Sequence, residues 1–271
     1  MADSKKYWQD KIVLVTGGSN GLGKVIAQTF GESGAKLAIV GLEASDVEAT
    51  AEEFRTDKIE VLPIVADVTR PEDAKRIVIE TLAQYGALDA LVNAAGRTHR
   101  GFLMQTPLEE FQSLWNLNVM GTIACTQAAY PHLVKSRGHV VNIGSLAAKS
   151  AARWVGAYPV TKHAVAAFSQ QLRLEAEPDG VHVLLVCPGP VKRDNPRLYP
   201  LKNAEGIPQS ALMPGGGVKV GKIEPQKLAR EILKACEKRN PEIVIPGKAR
   251  ILFAINQICP KLGDWIVKKS T

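Results

Sequence analysis

Tyr158 and Lys162 stand four residues apart in a stretch of helical patterning, which puts both side chains on one helix face. A free tyrosine titrates near ~10. A lysine cation one turn away stabilises the phenolate, lowers that value and moves the phenol towards acid/base duty near neutrality. Ser145 closes a β-branched run, a place from which its hydroxyl can hydrogen-bond a carbonyl oxygen. A Tyr-x-x-x-Lys pair is also common on solvated helix faces, so this one takes its meaning from what surrounds it.

Short β-branched runs alternate with longer amphipathic stretches along the chain. The predicted strands are 12–15, 36–40, 59–65, 88–92, 139–143, 181–186 and 242–245. Helical patterns fall near 22–33, 44–55, 71–85, 107–134, 155–177 and 225–238. Such alternation implies right-handed βαβ crossovers. The expectation is an α/β fold: a single doubly wound domain over residues 1–271, with a seven-stranded parallel sheet covered by helices on both faces. Two regions break the pattern. Residues 189–224 are rich in Pro and Gly and irregular, as loops that work on a ligand often are. Residues 248–271 mix apolar and basic side chains, and Pro260 divides them into two short helices.

At the other end of the crevice such a sheet would form, Thr16-Gly17-Gly18-Ser19-Asn20-Gly21-Leu22-Gly23 joins the first strand to a helix. Glycines allow a tight turn and close backbone approach, and the helix start presents unpaired N–H groups to a pyrophosphate. After the second strand, an acid would bind ribose hydroxyls and a base a 2′-phosphate. The chain reads Val40-Gly41-Leu42-Glu43, with neither at the usual positions. Glu43 can reach a ribose and favour NAD(H). Ser19 and Asn20 can hold a 2′-phosphate, and with no acid at the key position the reading leans to NADP(H). Asp67-Val68 follows the third strand and Asn93-Ala94-Ala95-Gly96 the fourth, both where parallel strands line a ligand crevice. Asp67 can accept from an adenine amino group, and both segments can equally be ordinary turn chemistry.

Taken together, Thr-Gly-x-x-x-Gly-x-Gly at 16–23, Asn-Ala-Ala-Gly at 93–96, Asn118, Ser145, Tyr158-x-x-x-Lys162 and Pro188-Gly189 resemble the short-chain dehydrogenase/reductase family. The order and spacing match as well, with 27 residues from Asn118 to Ser145 and 13 from Ser145 to Tyr158. The likeness covers roughly residues 10–192 and 225–245. It implies an oxidoreductase moving a hydride between a nicotinamide and a carbonyl or alcohol carbon. Tyr158 would be the acid in reduction and the base in oxidation. Lys162 would lower the tyrosine pKa and hold the nicotinamide ribose, and Ser145 would orient the substrate oxygen. Asn118 would distort its helix and hold a water that links Lys162 to solvent. Thr16, Gly17, Ser19, Asn20, Gly21, Leu22, Gly23, Asp67, Val68, Asn93, Ala94, Gly96, Pro188, Gly189 and Val191, with Tyr158 and Lys162, map to cofactor-contacting positions. Three departures stand out. Ala94 replaces an asparagine, Gly144 replaces a serine and is expected to loosen the strand end, and Arg193 replaces a threonine and reaches either the cofactor, the substrate or solvent.

Composition narrows the remaining classes. At 45% apolar and 23% charged the chain reads as a soluble globular protein, without an apolar run long enough to span a bilayer. Its start lacks the pattern of a secretory leader, so a cytoplasmic location is expected. The net charge of +7 is concentrated late: from Lys222 onward eleven basic residues face five acidic ones. No broad basic face is left for nucleic acid. Four cysteines (Cys125, Cys187, Cys236, Cys259) lie far apart and are expected to be reduced, buried and idle. The five histidines show no ligand spacing, and no metal site is expected.

The apolar set Trp154, Leu198, Tyr199, Leu201, Ile207, Ala211, Leu212 and Met213 suggests a hydrophobic small-molecule substrate (fatty-acyl, sphingoid, steroid-like or xenobiotic ketone), or else packs the flap onto the domain. The tail, with Lys248, Arg250, Lys261, Lys268 and Lys269, either touches anionic lipid as a peripheral contact or docks on its own domain or a neighbouring subunit. Rival functions are a 3-oxoacyl-carrier-protein reductase and a non-catalytic nucleotide-binding regulator. Family resemblance implies homodimers or homotetramers through the helices at 107–134 and 155–177.

Overall fold

The computed structural model describes residues 6–193, 206–212 and 220–270. Seven strands, β1 (Ile12–Thr16), β2 (Lys36–Gly41), β3 (Val61–Val65), β4 (Ala90–Asn93), β5 (His139–Ile143), β6 (His182–Pro188) and β7 (Glu242–Ile245), form one parallel sheet in the order β3-β2-β1-β4-β5-β6-β7. The predicted strands fall on these, with ends shifted by up to two residues. Every residue of β1 is buried, as a strand covered on both faces must be. Val13 and Val15 face one layer, helices α1 (Gly21–Glu32), α2 (Ala44–Thr56) and α7 (Pro225–Glu237). Ile12 and Leu14 face the other, where α3 (Pro71–Tyr85), α5 (Gly121–Ser136) and α6 (Tyr158–Ala176) pack. The strand order runs outward in both directions from β1 and β4, so the crevice opens at their carboxyl ends.

Two helical expectations are revised. The pattern over 107–134 resolves into α4 (Leu108–Trp115), a π-helical turn (Asn116–Met120) and α5. The pattern over 155–177 begins only at Tyr158, because Trp154 and Gly156 hold positive φ angles of 59° and 50°. Pro159 fits the first turn of α6, where its missing N–H costs nothing. Tyr158 therefore stands at the mouth of its helix, with Lys162 one turn deeper.

Trp8 is fully buried, edge-on to Phe30, with its indole N–H donating to Glu237 at 3.1 Å. At the other terminus α8 (Ala249–Ile258) and α9 (Pro260–Ser270) follow β7 and pack against one another, divided at Pro260 as expected. Ala249 and Phe253 pack against the core beside Ala148 and Val244, and Asn256 donates to Ser150 at 2.8 Å. Ile251, Ile258, Leu262 and Trp265 remain exposed. Cys125, Cys187 and Cys236 are buried as expected, but Cys259, between the two tail helices, is exposed, with no cover from the described residues. Among the described residues no helix is long and apolar enough to cross a membrane.

Candidate active site

The turn after β1 is built for close approach. Gly17 has φ +66°, and a Cβ there would lie 2.9 Å from the Ala95 backbone, locking the turn against the end of β4. Thr16 joins the same edges, its hydroxyl accepting from the Ala95 N–H at 3.3 Å. A Cβ at Gly23 would meet the Gly17 carbonyl, so α1 can press onto the turn only with glycine there. Asn20 caps α1 in extended geometry without a side-chain cap bond, no acid occupies the first turn, and the space around Gly21 is open. Unpaired helix N–H groups, a glycine cradle and a first turn without an acid fit a dinucleotide pyrophosphate.

Gly41 ends β2 with no room for a side chain. A Cβ would run into the Ser19 hydroxyl and lie 2.6 Å from Val47. Ser19 is fixed in turn, its carbonyl accepting from Thr50 at 2.9 Å. Leu42 and Glu43 are exposed, and Asn20 donates to Asp46 at 3.4 Å. After β3, Asp67 accepts from both the N–H and hydroxyl of Thr69 (2.9 and 2.8 Å), which is turn chemistry, while Val68 is buried beneath Gly121. Asn93 donates to Thr126 and Asn142, and its buried Oδ1 has no partner among the described residues.

The chemical end gathers at the carboxyl ends of β4 and β5. Lys162 is buried, and its Nζ donates to the Ile143 carbonyl at 2.7 Å while lying 5.8 Å from the Tyr158 ring centre. Loss of hydration brings its pKa down to about 8. Asn118, in the π-helical turn, is 1% exposed and aims its amide inward. It donates to the Arg97 carbonyl and the Thr161 hydroxyl, and accepts from the Arg97 N–H, all at 3.0 Å. A Cβ at Gly96 would stand 3.0 Å from Asn118 Oδ1 and 3.8 Å from Lys162 Nζ, so that glycine leaves open the space both side chains face.

Ser145 lies two residues beyond the end of β5, capping a short 3-10 turn. Its Oγ accepts from the Ala147 N–H at 3.1 Å, leaving the hydroxyl proton to donate elsewhere. The loosening expected at Gly144 is not found. Its N–H donates to Val186 O at 2.8 Å, and a Cβ would stand 2.9 Å from that same oxygen, so β6 presses too closely for serine. Past β6, Gly189 donates to Ile245 at 2.7 Å and Val191 bridges to Ile223, closing the base of the loop. Arg193 is exposed to solvent. Ile207, Ala211 and Leu212 are half-buried or buried; Leu198, Tyr199, Leu201 and Met213 lie outside the described residues. Trp154 is covered by the Arg153 guanidinium at 4.2 Å.

Thr161, Arg97 and Glu110 carry the site without having been singled out in the sequence. Arg97 grips Glu110 through both guanidinium nitrogens (2.5 and 3.0 Å), which holds the Glu110 carboxyl below its ordinary pKa. That pair fixes the loop whose backbone binds Asn118. Thr161 sits inside the Tyr-x-x-x-Lys motif, and its place was the one available signal.

A glycine turn suited to phosphate at the switch point of a parallel sheet, with a buried lysine beside a tyrosine across the crevice, fits the class of dinucleotide-dependent oxidoreductases. A sequence model described as short chain dehydrogenase matches residues 11–198. The chain belongs to that family, whose members oxidise alcohols or reduce carbonyls with NAD(P). It is 29% identical to 11-beta-hydroxysteroid dehydrogenase-like 2 of Arabidopsis thaliana over 261 residues, covering 95% of this chain and 80% of that one. It is 37% identical to L-fucose dehydrogenase of Bos taurus over 190 residues, 70% of this chain and 68% of that one. Among solved structures, a short chain dehydrogenase/reductase from Burkholderia phymatum in complex with NAD superposes with a TM-score of 0.80 at 22% identity, over 93% of this chain and 95% of that one. An alcohol dehydrogenase from Thermococcus sibiricus complexed with 5-hydroxy-NADP gives 0.74 at 22% identity, over 88% and 96%.

Proposed function

We propose that the chain, folded as one domain, interconverts a ketone and a secondary alcohol on a hydrophobic substrate, with Tyr158 moving the proton. The observation that carries this reading is the buried Lys162 ammonium beside Tyr158, tied to Ile143, with Asn118 and Thr161 bonded to one another in the adjoining turn. The bound nicotinamide supplies or accepts the hydride. Tyr158 gives a proton to the carbonyl oxygen in reduction and takes it from the alcohol in oxidation. Lys162 favours the phenolate by its charge, Ser145 donates to the same oxygen with the proton its Ala147 contact leaves available, and Asn118 positions the relay. The glycine cradle at residues 16–23 and the floor formed by Val68, Asn93, Ala94, Gly96, Pro188, Gly189 and Val191 would hold the dinucleotide. A regulator without turnover would have no use for this proton machinery.

For the cofactor, NADP(H) is favoured because the packing of Ser19 and Val47 against Gly41 excludes the carboxylate that binds a ribose diol. Asp46 beside Asn20 supports the second reading, NAD(H). A hydrophobic substrate is supported by the apolar Ile207, Ala211 and Leu212 of the segment after β6, and by relatives named for hydroxysteroids. The deciding experiment titrates the protein with NADH and NADPH, then follows turnover on steroid, long-chain and 3-oxoacyl-thioester ketones. The expected result is tighter NADPH binding and activity on the first two. Activity confined to the acyl thioester would establish the carrier-protein reductase instead.

Two assembly features belong to the same reading of a cytoplasmic enzyme. Exposed Trp115, Met120, Val160 and Leu174 on α4 to α6 suit a homodimer or homotetramer. On the tail, exposed Ile251, Ile258, Leu262 and Trp265 beside Lys261, Lys268 and Lys269 suit peripheral contact with anionic lipid. Truncation after Gly247 is then expected to abolish co-flotation with phosphatidylserine vesicles. Flotation unchanged by truncation would remove the membrane from the picture.

A further inference from the structure

At the end of the sheet remote from the crevice, β5 and β6 each begin with a histidine, and their register pairs the two directly. His139 and His182 are 2% and 5% exposed, and Cys236 of α7, fully buried, reaches the same place. A ring nitrogen of each histidine and the cysteine sulfur lie within 4.8 Å of one another. No i, i+4 spacing announces this group, because its members come from two strands and a helix.

The outer ring nitrogens are already engaged. His139 Nε2 meets the Tyr7 hydroxyl at 2.9 Å, and His182 Nε2 meets the Asn240 carbonyl at 2.8 Å. The two Nδ1 atoms are left facing each other at 2.9 Å. An imidazole whose far N–H is held by a carbonyl or hydroxyl is the arrangement that orients a metal ligand. Burial is the largest cause that lowers the pKa of both rings, to about 3 for His139 and about 4 for His182, and the Arg239 charge acts in the same direction on each.

We propose that His139, His182 and Cys236 form a site for a soft monovalent metal ion, copper(I). Two imidazole nitrogens and one thiolate sulfur, with no fourth protein donor in the described cluster, suit trigonal coordination better than the four-coordinate shell of structural zinc. Charge points the same way. A thiolate with a monovalent ion is neutral overall, whereas a dication would leave a net positive charge buried near Arg239 and Lys11. Trigonal bonds of zinc-like length would set the ligand atoms roughly 3.5 Å apart, a small adjustment from the separations present. On binding, the Cys236 S–H bond breaks, an S–Cu bond forms and the proton leaves to solvent. The proton between the two Nδ1 atoms moves to His139 Nε2, where the Tyr7 oxygen accepts it. No electron is transferred.

The test uses the full chain carrying Cys259→Ser, which removes the exposed competing thiol. Copper(I) is offered anaerobically against a chromophoric chelator. One equivalent is expected to transfer, with a thiolate-to-copper charge-transfer band in the near ultraviolet. Affinity is expected to fall at least tenfold on Cys236→Ala and on His182→Asn, with thermal melts identifying whichever variant stays folded. Failure to draw copper from the chelator, equal affinity in a folded Cys236→Ala protein, or tighter binding of zinc than of copper(I) would each overturn the assignment.

Discussion

Tyr158→Phe is expected to lower kcat by at least about 100-fold, the low end of what a positioned proton donor contributes, while dinucleotide affinity stays nearly unchanged. The separation of the two effects follows from the fold. Tyr158 opens α6 with its backbone N–H on Val155 O at 3.2 Å, and Phe keeps that bond. Phe also keeps a ring beside Lys162, and the glycine turn proposed to hold the dinucleotide follows β1 across the crevice. Only the hydroxyl is removed, and with it the proton that must reach or leave the substrate oxygen. Steady-state kinetics beside a dinucleotide fluorescence titration checks both halves. Retained turnover would refute the role assigned to Tyr158.

Lys162→Met is expected to cost comparable activity and, unlike Tyr158→Phe, to make the protein more stable. Lys162 has a pKa of about 8 in the fold, against an ordinary value of 10.5. Below pH 8 the side chain is charged in both folded and unfolded chains, and the fold bears the full cost of burying it. Between pH 8 and 10.5 the folded chain loses the proton while the unfolded chain keeps it, so wild-type stability rises with pH across that window. Each pKa unit corresponds to about 1.4 kcal/mol. Part of that cost is offset by the bond to Ile143 O, whose loss in the variant leaves a carbonyl unpaired. The net gain for Lys162→Met is therefore on the order of 1–2 kcal/mol at pH 7, fading towards pH 10.5. Thermal melts at pH 7 and pH 10 measure it. A variant no more stable than wild type at pH 7 would show that the buried cation is not the burden described.

The strands and their order of appearance were legible because a doubly covered parallel sheet writes itself as short Val/Ile/Leu runs, as in Ile12–Thr16. The Tyr158–Lys162 face was legible from helical period alone. The break at Asn116–Met120 was not, since a π-helical turn answers to what Asn118 binds across space and leaves the local apolar rhythm nearly intact. The hold of Arg97 on Glu110 and the meeting of His139 with Cys236 were hidden for a similar reason, being set by which elements become neighbours. Gly144 shows the reverse error. Read along the chain it was a weakened strand end; in the sheet it is the residue that lets β6 approach.

Ser19, Gly41 and Val47 interlock, so position 41 cannot be altered without its neighbours answering. A carboxylate at position 41 cannot be added alone, because its Cβ would occupy space already taken by the Ser19 hydroxyl and the Val47 methyl. Both neighbours have to give way, since the Ser19 hydroxyl and the Val47 methyl each lie inside contact distance of that Cβ. The space at the end of β2 is thus set by three residues together.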